Sequence, residues 1–147
     1  MSVQLSPPPE RFHASHLKLP LLKKRARAVL HMLDHAQSEL SIALVGDREI
    51  RQLNHNHRQL DRATDVLSFS LVDGEWAGFR GALLGDVVIS VETAARQART
   101  RHRSLDDEIA RLLIHGVLHL LGHDHELPDE HRRMRAEERR LSRVLRA

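Results

Sequence analysis

At 147 residues, 41% hydrophobic and 29% charged, the chain has apolar material for one compact core and little more, and its composition is not that of a disordered tail. With no cysteine it can form no disulfide, thiolate site or iron–sulfur cluster, so any transition-metal site must use histidine or carboxylate. A formal net charge of +3 is a mild bias towards phosphate-bearing partners, whereas 12 histidines beside three Phe, one Trp and no Tyr put the chemical information in imidazole and leave base-stacking aromatics scarce.

Met1 to Pro9 lacks the basic start and apolar run of a secretory signal, and no stretch approaches the length of a membrane span. The expectation is a cytoplasmic protein with one domain over 1–147. A short strand is expected at Val3 to Leu5, before the extended Pro7 to Pro9 connection. From Leu19 to Ala36 the apolar positions Leu22, Ala26, Val29, Leu30 and Leu33 recur at helical spacing. Beside them Lys18, Lys23, Lys24, Arg25 and Arg27 form a basic group, which reads either as a phosphate-neutralising face or as a plain solvated one. Glu39 to Val45 alternates as a strand, and Gly46 with Asp47 reads as its end and as the cap of a helix over Arg48 to His57.

Thr64 to Val72 and Leu83 to Ser90 read as two further strands, with an intervening glycine-containing loop able to bend them into a hairpin. Ser90 or Val91 opens a helix through Arg101. Ser104 with Asp107 is a capping-box signal for a helix reaching Leu121, which Gly122 ends as a left-handed cap. A last, charged helix from Pro128 to Leu145 carries sparse apolar residues at Met134, Leu141, Val144 and Leu145; its mixed charges, Glu137 and Glu138 included, read as a solvent-facing surface. Segregated strands and helices predict an α+β domain.

The chemistry lies in HGVLHLLGHDH, His115 to His125. His115 and His119 are i and i+4 on one helix face, with Cβ atoms roughly 5–6 Å apart, close enough for two imidazoles to converge on one ion. Gly122 lets the chain reverse so that His125 can return as a third ligand. Three neutral nitrogens and one open position describe a catalytic zinc arrangement rather than a closed structural one. The other reading of these residues is a set of core or cap histidines. The spacing HxxxHxxGxxH also occurs in metzincin proteases, but their general-base glutamate follows the first histidine, and here that place is Gly116. Gly116 itself reads as close helix packing or as room beside a metal. Asp124 reads as a partner that orients an imidazole or takes a proton, or as a turn residue. Asp65 and Asp86 read as groove-lining or strand-capping residues; His31, His35, His55, His57 and His131 read as solvated.

The motif resembles the histidine signature of the bacterial YbeY family. LNHNHRQLDRATDVLSF, Leu53 to Phe69, and LLGDVVIS, Leu83 to Ser90, resemble two further segments of that family in the same order, so the likeness runs over residues 40 to 131. The chain departs from the family's usual residues at His57, Ala63, Ser70 and His123. The resemblance implies a mixed four-stranded sheet covered by helices on a metalloprotease-like scaffold. It also implies a zinc-dependent endoribonuclease that acts on single-stranded RNA in small-subunit rRNA 3′-end maturation and ribosome quality control. One zinc would be held by His115, His119 and His125; Arg58 would face a phosphate in the groove; and the ribosome or its assembly factors would be partners, with no membrane role. The alternatives are a ribosome-assembly factor with a structural metal and, less favoured given Gly116, a metalloprotease. Whether water or the RNA 2′-hydroxyl attacks stays open at this level.

Overall fold

The computed structural model describes residues 2–12, 17–58, 64–70, 83–122 and 128–145. Its sheet follows from alternation. In β2 (Glu39–Val45), Leu40, Ile42 and Leu44 are buried on one face, while the intervening residues are half-buried on the other. β1 (Ser2–Ser6) runs parallel to β2, β2 runs parallel to β4 (Leu83–Ser90), and β3 (Val66–Ser70) closes the edge antiparallel to β4, giving the order β1-β2-β4-β3. The two strands expected to form a hairpin are therefore antiparallel neighbours, with Val66 opposite Ile89 and Ser70 opposite Gly85. The loop between them lies outside the described residues.

Two apolar layers follow from the sheet's two faces. On one, α1 (Leu19–Met32), α3 (Val91–Thr100), α4 (Leu105–Leu120) and α5 (Pro128–Leu145) bury Leu22, Val29, Ala94, Leu113, Met134 and Leu141 against Leu40, Ile42, Val87 and Ile89. On the other, α2 (Asp47–Arg58) lays Ile50 on Leu67 and Val88. The fold is thus a mixed α+β arrangement of a four-stranded sheet and five α-helices among the described residues, as the sequence predicts.

Several local expectations shift. The first helix stops at Met32, not Ala36, because Asp34 takes a left-handed φ of 61°. His35 N–H then reaches the Leu30 carbonyl at 2.7 Å and Asp34 N–H that of His31 at 3.2 Å, a Schellman end without glycine. Gly46, not Asp47, occupies the cap of α2: its N–H donates to Glu49 at 3.2 Å, the returning half of a capping box. Val144 is 51% exposed rather than part of the apolar stripe. In the basic group, Arg25 is turned inward, with 13% of its side chain exposed, and donates to the Asp106 carbonyl and the Asp107 carboxylate. It joins α1 to the start of α4, which leaves only its neighbours for the phosphate-neutralising reading.

Asp47 instead ties α2 to α3. Its carboxylate accepts from Ser90 Oγ and Thr93 Oγ1 at 2.6 Å each and from the Arg96 guanidinium at 2.8 Å. Burial opposes its charge, but these three hydrogen bonds and the Arg96 charge outweigh burial and hold the carboxyl below the usual aspartate value of 3.8. A depressed native pKa stabilises the fold above the unfolded value, and that contribution is lost as pH falls through the native one. Asp47→Asn should therefore cost about 1–3 kcal/mol of stability at neutral pH and so lower Tm, and the gap from the unsubstituted protein should close below about pH 4. Thermal melts across pH check this; a gap that persists into strong acid would contradict it.

Candidate metal centre

The phase of α4 is fixed at its start. Ser104 accepts the Asp107 N–H at 3.1 Å, so Ile109, Leu112, Leu113, Gly116, Val117 and Leu120 turn onto the core while His115 and His119 ride half-buried at one edge. The predicted i, i+4 convergence is present: the two Nε2 atoms lie 3.1 Å apart, with ring centroids 4.6 Å apart and planes at 65°. Two nitrogens held tetrahedrally at 2.0–2.1 Å from one ion would be about 3.3 Å apart, so the pair fits a shared zinc to within a few tenths of an ångström.

Gly116 is explained by packing. A Cβ there would meet Val87 Cγ1 at 2.8 Å and Cγ2 at 3.2 Å, so its absence lets α4 settle directly on β4. The glutamate that a metzincin carries at this point would collide with the sheet. Past the helix, Gly122 adopts a φ of 92° and its N–H bonds the His119 carbonyl at 3.0 Å, the turn the sequence predicts. His125 and Asp124 lie outside the described residues. Arg58 ends α2, on the face of the sheet opposite α4, and its side chain is likewise outside them. Among the described residues no group of three His, Asp or Glu that could hold a metal assembles.

Sequence reasoning missed Glu138. Its Oε1 lies 3.0 Å from His115 Nδ1, so it can accept a hydrogen bond from Nδ1–H and so favour the tautomer whose Nε2 lone pair faces His119. Burial raises the Glu138 pKa, but the hydrogen bond from His115 and the charges of Arg111 and Arg135 outweigh it and keep the carboxyl below the ordinary range, hence ionised. The signal was available: Met134, Glu138 and Leu141 share one helical stripe, and the first and last of them are buried.

The remaining candidates separate. Asp65 accepts the Val66 N–H at 2.8 Å and Gln97 Nε2 at 3.2 Å, so it caps its strand. Asp86 is half-buried within β4, opposite Phe69. His31 and His55 are exposed, and His35 Nδ1 lies 3.2 Å from Ser38 Oγ. The side chain of His57 is outside the described residues, and His131 is exposed on α5.

A family model described as Endoribonuclease YbeY matches residues 12–146. A curated protein of that name from an Anaeromyxobacter species is 53% identical over 123 residues, covering 84% of this chain and 62% of the relative. One from Geobacter metallireducens is 42% identical over 128 residues, covering 86% and 85%. The chain thus spans about three fifths of the length of the Anaeromyxobacter relative. The solution structure of a Thermotoga maritima protein superposes with a TM-score of 0.66 over 99% of this chain and 89% of that one; at 23% identity it speaks for the fold alone. The three sequence segments, the sheet they build and the match over nearly the whole chain agree: the protein belongs to the YbeY family.

Proposed function

We propose that this chain is a zinc-dependent endoribonuclease that cuts single-stranded RNA, acting in the cytoplasm on small-subunit rRNA 3′-end maturation and ribosome quality control, with the ribosome or its assembly factors as partners. The observation that carries the reading is the 3.1 Å approach of the His115 and His119 Nε2 atoms, with Glu138 on the far nitrogen of His115. His125 is proposed as the third ligand from the motif, and the names of the relatives support the RNA reaction. A bound zinc would supply Lewis acidity towards a phosphoryl oxygen and would lower the pKa of a bound water to about 7.

The chain's own residues do the rest. Glu138 fixes the His115 ring and its tautomer. Arg58, assigned through the likeness of its segment to the family, offers a planar fork to the phosphate and stabilises charge growing on its oxygens. Asp124, beside His125 in sequence, is proposed to orient an imidazole or to accept a proton from the attacking group.

Glu138→Ala should weaken zinc binding about 10–100-fold, and Glu138→Gln, which keeps an acceptor oxygen, less. Competition with a chelator measures both, and affinities equal to that of the unsubstituted protein would remove Glu138 from the centre. The deciding experiment is RNA cleavage and circular dichroism before and after metal removal. The apolar core of α4 is buried independently of its histidines, so chelation should abolish cleavage and leave the helical signal intact. Unfolding on chelation, with no cleavage by the fully metallated protein, would favour the assembly-factor alternative. Casein should remain uncut throughout.

A further inference from the structure

Beside His115, α4, α5 and the turn between α3 and α4 enclose an open groove of about 430 Å³, lined by Arg101, Arg103, Arg111, Arg135 and Arg139. Among the described residues only Arg111 is matched at close range: it donates to Oε2 of the fully buried Glu108 at 2.6 and 3.0 Å, and Arg101 stands 3.9 Å from that oxygen. Arg103, Arg135 and Arg139 are exposed and make no ion pair with a carboxylate among the described residues. Among the described residues, five guanidinium groups therefore stand against two carboxylates, Glu108 and Glu138. Such a concentration repels itself unless an anion enters.

The lining also limits which anion. Among the described residues that line it, Met134 is the one aliphatic side chain, the rings are the imidazoles of His115 and His131, and there is no Phe or Trp. A docked protein would need a buried aromatic or aliphatic anchor, and base stacking would need aromatic platforms. Forked, exposed guanidiniums suit phosphate oxygens and carry no base sequence information.

We propose that this groove holds the phosphodiester backbone of single-stranded RNA and leads it along the α5 arginines to His115. The proposal deepens the ribonuclease reading of the imidazole pair and rests on it. It moves the phosphate-binding surface from the α1 lysines and arginines, where the sequence suggested one, to the groove between α4 and α5.

The test is the double variant Arg135→Gln/Arg139→Gln, compared with Arg133→Gln/Arg140→Gln, which removes the same charge from α5 positions outside the groove. Glutamine keeps helix propensity, so both should fold. Affinity for a short labelled 2′-O-methyl RNA is read across salt concentrations, with the probe checked for integrity, and cleavage of the matching unmodified RNA is read separately. The groove variant should bind at least tenfold more weakly at low salt, with a log–log salt slope shallower by about 1.4, since each single-strand phosphate contact contributes about 0.7. The control variant should stay close to the unsubstituted protein. Equal loss in both variants, or no loss in the groove variant, overturns the proposal, as does a groove that releases RNA but retains an acidic polypeptide. An unsubstituted protein that binds the probe through these arginines yet never cuts RNA would defeat the ribonuclease reading and leave the groove standing.

Discussion

Replacing His119 by alanine is expected to bring zinc per chain from one towards none and to stop RNA cleavage while leaving the fold intact. His119 is half-buried at the edge of α4, and its ring contributes to the 3.1 Å approach rather than to the apolar core. Alanine is the best helix former, so α4 loses nothing in propensity. What it loses is one of two nitrogens already aimed at a common point, and the effect on metal affinity should exceed the roughly 10–100-fold that a lost outer partner costs. Elemental analysis of the variant beside the unsubstituted protein reads this directly. Equal metal content in both would show that the two rings meet for a structural reason only.

The largest loss of stability is expected at Gly85. A Cβ there would stand 2.3 Å from the Phe69 carbonyl oxygen and 2.9 Å from Leu120 Cδ2, on a residue whose φ is 155°. Both terms oppose a side chain: the conformation is one L-residues rarely adopt, and the close atom is a backbone oxygen of the adjacent strand, which cannot yield without opening the β3–β4 pair. Gly85→Ala should cost roughly 2–4 kcal/mol in urea unfolding. At Gly116 the crowding atoms are Val87 methyl groups and the helical φ suits alanine, so the strain there is steric alone. The Gly85 change should also reach the imidazole pair, because Leu120 adjoins His119 in α4. A Gly85→Ala protein of unchanged stability would contradict the close approach of the two strands.

These contrasts explain which parts of the molecule the sequence discloses. β2 and β4 were legible to the residue: β2 alternates, and β4 is the apolar run of a central strand between two partners. The caps of α3 and α4 were legible because Ser90 and Ser104 do what serine does before a helix. The end of α1 was not, because its left-handed residue is Asp34 where glycine would have announced it. Asp47 was misassigned because local sequence offers it a cap, whereas tertiary structure offers it Ser90, Thr93 and Arg96. In the site, His115 and His119 were legible from helical spacing alone. Glu138 was hidden in a run of mixed charges, and the inward turn of Arg25 in a run of like ones, since neither sequence pattern says which side chain a neighbouring helix will meet.

The central claim is that three imidazoles hold one ion and leave a position open, and zinc-edge X-ray absorption on the purified protein tests it most directly. The account predicts three imidazole nitrogens at about 2.0–2.1 Å with one further light-atom ligand. A zinc bound by two imidazoles or fewer, or closed by four, would contradict it.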